Sequence, residues 1–291
     1  MTTTDAQAPD LLRRGTAELH AAGVASPAAD AAALLAHVLG TTRGRLPGVS
    51  AVSAEHVEAY LGLLARRAQR VPLQHLTGTA GFRYVELRVG PGVFVPRPET
   101  ELLAGWAVDR ARELATVTGV RPVVVDLCTG SGAIALSVAT EVPRARVHAV
   151  ELDEGAHRWA EDNLAGTGVD LRPGDMADAF PDLDGAVDVV VSNPPYIPLE
   201  AFESVTPEVR DHDPALALWS GQDGLDAMRV VERTAARLLR PGGLVGAEHA
   251  EVQAEAVPAV FARTVHWTEV RDHRDLAGRP RFVTARRGPR P

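Results

Sequence analysis

VVVDLCTGSGAIAL, residues 123–136, runs from an apolar stretch through an acid and a glycine pair into a second apolar stretch. RPVVVDL (121–127) reads as a buried strand and GAIALSVATEV (132–142) as the helix after it, so Asp126, Gly130 and Gly132 fall in the turn between them. Glycines there permit positive φ and let a ligand approach the backbone outside the carboxyl end of the strand. The same residues are equally compatible with a tight turn that holds nothing.

The alternation continues on both sides. A helix (ETELLAGWAVDRARELA, 99–115) precedes the strand; a strand (ARVHAVEL, 145–152), a helix (EGAHRWAEDNLAG, 154–166) and further strands follow. This order predicts βαβ units and a mostly parallel, Rossmann-like α/β sheet. VDVVVSN (187–193) reads as a central strand buried on both faces. LRPGGLVGAEHA (239–250) supplies a later strand after a Pro-Gly-Gly turn, and RFVTARR (281–287) the last one. The region before residue 79 is different in kind. It reads as helices: DLLRRGTAELHAAG (10–23), SPAADAAALLAHVLG (26–40) with Ser26 as N-cap and Pro27 at the first helical position, and a third from Ser53. Val57, Leu61 and Leu64 form the apolar stripe of that third helix. Between the two regions GFRYVELRVGPGVFVPRP (81–98) reads as a hairpin around Gly90-Pro91-Gly92.

Composition narrows the function. The 291 residues carry 45% hydrophobic and 23% charged side chains, with no apolar run near the roughly 20 residues of a membrane span. With no signal-like start and one cysteine, Cys128, a cytoplasmic address is expected. The formal charge of −8 argues against holding nucleic acid mainly by phosphate neutralisation. All 30 basic residues are Arg, which excludes lysine chemistry, and the ten histidines show no metal-ligand spacing, so no metal is expected.

Asn193-Pro194-Pro195-Tyr196 ends the central strand. Each proline fixes its own φ near −65° and pushes the preceding residue out of the α region, so the segment is stiff and extended. It is either a strand stop with a packing aromatic or a site. As a site, the Asn193 side-chain oxygen and the Pro194 carbonyl are two fixed acceptors suited to one planar NH₂ group, with the Tyr196 ring against its π-system. Such an NH₂ is a poor nucleophile whose pKa is too high for a side-chain base. Two acceptors would raise electron density on nitrogen and stabilise charge developing there.

DLCTGSG with Glu151 at the end of the next strand resembles the first two motifs of class I S-adenosylmethionine-dependent methyltransferases. The missing third glycine of GxGxxG suits a nucleoside without a pyrophosphate. The resemblance implies that Asp126, Leu127, Thr129, Gly130, Gly132, Glu151, Asp175, Met176 and Asn193 contact S-adenosyl-L-methionine, the product being S-adenosyl-L-homocysteine. NPPY is shared by enzymes that methylate adenine amino groups in DNA and enzymes that methylate protein glutamine. VPLQHLTG (71–78), FVPRPETE (94–101), DPALALWSGQDGLD (213–226) and DLAGRPRF (275–282) make the chain similar, almost end to end, to the HemK/PrmC-type protein-(glutamine-N5) methyltransferases.

That resemblance implies methylation of the glutamine in the Gly-Gly-Gln motif of class I peptide chain release factors. Asn193, Pro194 and Tyr196 would act at the acceptor, with Pro195, Phe94, Arg97 and Glu99 bordering it. It also implies a substrate-binding helical domain (1–78), a hairpin linker (79–98) and a methyltransferase domain (99–291), with a release factor as partner and neither nucleic acid nor membrane. A glutamine of a ribosomal protein is the nearest alternative, ahead of an adenine N6 acceptor and of a non-enzymatic nucleotide-binding module. The chain departs from the family's usual residues at Glu151, where Asp is common, and at Asp213, where Glu is common.

Overall fold

The computed structural model describes residues 6–289, which fall into two compact units. One comprises residues up to Thr79 together with Thr206–His212; the other comprises Ala80–Val205 and the chain from Asp213 onward.

The smaller unit contains β1 (Ala6–Gln7), α1 (Ala8–Ala21), α2 (Pro27–Val38), β2 (Ala51–Val52), α3 (Ala54–Ala68) and α4 (Leu73–Thr77). Its centre is Tyr60, fully buried among Leu19, Leu34, Leu35 and Leu64, with its hydroxyl donated to the Leu11 carbonyl at 3.4 Å. Gly15 of α1 makes room for that ring, since a Cβ there would lie 2.0 Å from the Tyr60 hydroxyl. The apolar stripe of α3 is therefore turned from the predicted one: Leu64 is buried, Val57 and Leu61 only half-buried. Ser26 occupies the N-cap position of α2 but makes no side-chain cap bond, because its φ of −128° and ψ of 59° lie off the extended geometry a cap needs. Ser53 does cap α3, accepting from the His56 N–H. Arg67, buried, binds Asp30 at 2.8 Å and Glu208 at 3.0 Å, and Arg70 binds Glu208 at 2.6 Å. These ion pairs join residues 206–212 to α3.

The larger unit begins with a hairpin of β3 (Thr79–Phe82) and β4 (Val85–Arg88). Its turn is at Arg83-Tyr84, one strand earlier than predicted, and Gly90-Pro91-Gly92 follows β4 instead of dividing two strands. Arg83 takes the left-handed conformation (φ 50°), unusual for a residue with a Cβ. The two-pronged ion pair of its guanidinium with Glu141, at 2.7 and 2.8 Å, offsets that strain. Phe82, Leu87, Val89 and Val93 are buried in this unit's own core.

The remaining elements are α5 (Thr100–Thr118), β5 (Val123–Leu127), α6 (Ala133–Glu141), β6 (Arg146–Glu151), α7 (Glu154–Leu164), β7 (Asp170–Pro173), β8 (Val187–Ser192), α8 (Pro207–His212, in the smaller unit), α9 (Asp226–Leu238), β9 (Leu239–Glu248), α10 (Ala256–Ala262), β10 (Trp267–Arg274) and β11 (Pro280–Arg287). Seven strands form one sheet in the order β10-β11-β9-β8-β5-β6-β7. β9-β8-β5-β6-β7 are parallel neighbours, and β11 is antiparallel to β9 and β10. The fold is thus the mostly parallel Rossmann-like α/β sheet expected, with β8 at its middle.

Both faces are covered. Val124, Val147, Val189 and Val191 pack under α5, α6 and α7; Val125, Val150, Val190 and Val245 pack under α9 and α10. Between Val187 and Val189 of β8 the register with β9 shifts. That shift corrects the reading of residues 239–243. Pro241-Gly242-Gly243 is not a turn before the strand but a bulge within β9, where Val187 pairs with Leu239 and Val189 with Leu244.

Candidate active site

β5 and β8 are parallel neighbours whose last register pair is Leu127 with Ser192. The Ser192 hydroxyl donates to the Leu127 carbonyl at 2.7 Å, tying the two strand ends. The next residues are Cys128 and Asn193, so the glycine loop and the NPPY loop leave one edge of the sheet side by side, at a strand spacing of about 4.8 Å. Ligands of open α/β sheets bind at that carboxyl edge.

The glycine loop is built by its own backbone. Cys128, Gly130 and Gly132 all have positive φ (60°, 58° and 85°). At Cys128 this conformation costs about 1–2 kcal/mol. The loop offsets the strain with hydrogen bonds: the Thr129 N–H donates to the Val150 carbonyl at 3.0 Å, and the Gly132 N–H to the Thr129 carbonyl at 2.9 Å. Asp126 Oδ2 accepts from the Thr129 hydroxyl at 2.6 Å and from the Ala135 N–H at 3.1 Å, which also caps α6. Asp126 Oδ1 is buried with no partner. Leaving such an atom unmatched costs about 1–3 kcal/mol, more than a typical hydrogen bond returns, so a ligand donor there would relieve a standing deficit. Burial pushes the Asp126 pKa up to about 7; the Thr129 and Ala135 hydrogen bonds pull it back, and the charge of Glu151 adds to the rise.

Glu151, at the end of β6, accepts from the Gly130 N–H at 2.8 Å and from the Asp153 N–H at 2.9 Å. Burial raises its pKa, against the pull of those backbone bonds. A carboxylate has about four lone-pair sites, so acceptors remain for a ligand's hydroxyls. The Leu127 side chain is fully buried in the core, which leaves only its main chain at the loop. Asp175 caps a short turn by accepting from the Ala177 N–H at 2.8 Å, and Met176 Sδ lies 3.4 Å from the Cys128 sulfur. Burial pushes the Cys128 thiol up, which keeps it protonated and unreactive at neutral pH.

The NPPY loop is held differently. Asn193 Nδ2 donates to the Thr100 hydroxyl at 3.3 Å, and the Tyr196 hydroxyl donates to Glu248 Oε1 at 3.2 Å. The Tyr196 carbonyl accepts from Gln253 Nε2 at 3.0 Å. Among the described residues, neither Asn193 Oδ1 nor the Pro194 carbonyl takes a hydrogen bond from the protein. Pro194 is buried and Pro195 half-buried. Beyond the loop, Ile197 pairs with Trp219, so the NPPYIP and DPALALWSG stretches form one structure.

Arg97 donates to Asp213 at 2.6 Å and lies over the Phe94 ring at 4.8 Å, which brings FVPRPETE and DPALALWSG together. The Asp213 side chain is fully buried, and burial raises its pKa to about 6 against the pull of Arg97. Arg97 thus meets a buried acid, and Asp213 has a defined partner. Glu99 stands apart from this pair, 3.8 Å from Arg279.

Sequence reasoning passed over Thr100, Ser192, Glu248 and Gln253, the residues that bind the two loops. A charged residue ending an otherwise apolar strand at the ligand edge was the available signal for Glu248. Among the described residues no group of three or more His, Cys, Asp or Glu could hold a metal ion, and no helix is long and apolar enough to cross a membrane.

A mostly parallel seven-stranded sheet with a glycine turn after one central strand and NPPY after its neighbour defines a methyltransferase of the Rossmann-like type. Family models agree: the PrmC N-terminal domain matches residues 10–78 and the methyltransferase small domain matches residues 111–207. A release factor glutamine methyltransferase of Streptomyces coelicolor is 58% identical over 274 residues (94% of this chain, 96% of that protein), and one of Mycolicibacterium smegmatis is 50% identical over 278 (95% and 96%). The chain belongs to the release factor glutamine methyltransferase family. A 4-amino-L-phenylalanine/4-methylamino-L-phenylalanine methyltransferase of Streptomyces pristinaespiralis is also similar, 42% identical over 268 residues (90% and 91%).

Proposed function

We propose that the protein transfers the methyl group of S-adenosylmethionine to the side-chain amide nitrogen, N5, of the glutamine in the Gly-Gly-Gln motif of class I peptide chain release factors. The observation that carries this reading is the state of Asn193. Its NH₂ end is engaged by Thr100, which leaves Oδ1, beside the untaken Pro194 carbonyl, to accept from a planar NH₂. When bound, S-adenosylmethionine supplies an electrophilic methyl on a sulfonium. Everything else falls to the protein.

The unmatched Asp126 Oδ1 and the spare acceptors of Glu151 fit a ligand rich in ammonium and hydroxyl donors. In this reading Asp126, the main chain of Leu127, Thr129, Gly130 and Gly132 bind the amino-acid part of the cofactor. Glu151 holds the ribose, and Asp175 and Met176 border the adenine, with Asn193 adjoining both ligands. Asn193 Oδ1 and the Pro194 carbonyl take the two N–H groups of the glutamine amide, and Tyr196 and Pro195 flank its plane. These acceptors polarise the nitrogen, orient its lone pair and stabilise the charge that grows on it, after which the proton leaves to water. Phe94 and Arg97, anchored on Asp213, border the acceptor. The helical unit supplies the surface for the release factor, in the cytoplasm.

An aryl amine such as that of the S. pristinaespiralis relative's substrate presents the same planar NH₂, so the acceptor must be decided by experiment. Labelled S-adenosylmethionine should be offered with purified release factor, its Gln-to-Ala variant, 4-amino-L-phenylalanine, ribosomal protein and DNA. Label is expected on the wild-type factor alone. Comparable label on the Gln-to-Ala variant, or preferential label on the aryl amine or DNA, refutes the proposal.

A further inference from the structure

We propose that Arg237 is a positioning residue of the cofactor site: its guanidinium grips the loop between β7 and β8 at three points, and so aims the Asp175 carboxylate at the amino edge of the adenine. This rests on Asp175 and Met176 bordering the adenine, as proposed above.

Residues 174–186 carry the chain from β7 to β8 through two short turns, Met176–Asp178 and Pro181–Leu183. The loop begins beside Glu151, whose carbonyl accepts from the Gly174 N–H at 2.9 Å. Met176 Sδ lies 3.4 Å from the Cys128 sulfur, which brings this end of the loop against the glycine loop. Asp175 Oδ1 accepts from the Ala177 N–H at 2.8 Å. Its Oδ2 takes no hydrogen bond from the protein among the described residues.

Arg237, in the last turn of α9, holds the middle of the loop. Its Nη2 donates to the Ala179 carbonyl at 2.7 Å and to the Ala177 carbonyl at 3.3 Å, and its Nη1 binds Asp184. The main-chain carbonyl of Arg237 accepts from the Gly185 N–H at 3.0 Å. Asp184 is exposed, so that ion pair adds little stability by itself. What it does is fix the plane of the guanidinium with Nη2 toward the two carbonyls. Ala177 is the link to the ligand: its carbonyl goes to Arg237 and its N–H to Asp175.

The next residue after Ala179 is Phe180, buried and left-handed at φ 50°. A residue in that region persists only where its surroundings over-determine it. The Arg237 bond to the Ala179 carbonyl is one such constraint; the Arg172 guanidinium over the Phe180 ring at 4.6 Å is another.

The exocyclic amine of adenine donates, and an ionised carboxylate only accepts. Hypoxanthine carries a carbonyl oxygen at the same position, which a carboxylate repels. The aim of Asp175 therefore decides selectivity for the base and leaves the transferring methyl untouched. An arginine suits this task because its flat fork meets acceptors in two directions at once. The single ammonium of a lysine does not span the Ala179 carbonyl and Asp184 in that geometry.

The test titrates wild type, Arg237→Ala and Arg237→Lys with S-adenosylhomocysteine and with S-inosylhomocysteine, and reads kcat at saturating S-adenosylmethionine and KM for release factor. Wild type should prefer S-adenosylhomocysteine by about tenfold or more. Arg237→Ala should lose about tenfold or more in affinity for S-adenosylhomocysteine but at most about threefold for S-inosylhomocysteine, with kcat and KM for release factor within about threefold. Arg237→Lys should fall between. Unchanged affinity for both ligands in Arg237→Ala overturns the inference, and so do equal losses for the two, which mark general damage to the site. If Arg237→Ala does not fold, Arg237→Lys decides by the same ratio. The expected pattern of affinities with no methyl on the release factor glutamine sinks the acceptor reading and leaves this inference standing. Failure of wild type to bind S-adenosylhomocysteine overturns both.

Discussion

The glycine loop and the NPPY loop start from paired residues on adjacent strands, yet they are fixed by opposite means. In the first, the shape comes from three alternate positive-φ positions in seven residues of sequence, and its stabilising bonds run to Asp126, Ala135 and the next strand's Val150 and Glu151. In the second, prolines set only the backbone. The side chains that would touch the acceptor are aimed by Thr100 and Glu248, which lie 93 and 52 residues away in the chain. A donor site common to many methyltransferases can be a local motif; an acceptor site that must select one amide draws on the whole sheet.

The largest expected effect follows from this difference. Asn193→Ala should reduce kcat by about a hundredfold or more, the loss typical of deleting one preorganised polar contact, with S-adenosylmethionine affinity largely retained. Isothermal titration alongside steady-state kinetics reads both. Asp126→Ala should do the reverse, weakening cofactor binding by about tenfold or more through loss of one charge-assisted contact, with kcat at saturating cofactor changed less. Equal losses of kcat in the two variants would remove the distinction between the loops.

A smaller effect separates them by pH. Asp126, whose pKa burial raises to about 7, is favoured as the anion by a cationic ligand, so cofactor dissociation constants should tighten as pH rises from 6 to 8. Asp126→Asn should flatten that dependence. Stability moves in the other direction. Glu248 binds protons more readily folded than unfolded, so its contribution is greatest below its ordinary carboxylate range and is lost as pH rises toward about 7. Glu248→Gln should therefore gain in melting temperature relative to wild type between pH 5 and 8. The smallest change is expected for Ser192→Ala, which removes the donor to the Leu127 carbonyl and should cost about 1 kcal/mol in denaturant unfolding.

Much of the sheet is legible in the sequence because its determinants are local. Consecutive valines in VVVDL and VDVVV mark strands buried on both faces, and the glycines of CTGSG mark the turn that a ligand needs. The same locality explains the misses. Arg83 looks like no turn residue, and its guanidinium is held by Glu141 and the Glu101 carbonyl while its backbone is left-handed, whereas Gly90-Pro91-Gly92 carries the expected turn chemistry without dividing strands. Pro241-Gly242-Gly243 reads as a turn, but pairing with β8 absorbs it as a bulge. Tyr60 interrupts the aliphatic stripe of α3 and becomes its centre because the Leu11 carbonyl is there to take its hydroxyl. At the site, NPPY announced two rigid acceptors. Nothing near it announced Thr100 or Glu248, whose meaning exists only once β9 and α5 converge on the end of β8.

The most direct measurement maps the methyl group on release factor after incubation with S-adenosylmethionine and either wild-type protein or Asn193→Ala, by tandem mass spectrometry of the Gly-Gly-Gln peptide. The expected result is one methyl on the side-chain nitrogen of that glutamine with wild type and a rate at least about a hundredfold lower with the variant. A methyl on any other residue, or equal rates with the two proteins, would contradict the assignment of the rigid loop as the holder of a protein amide.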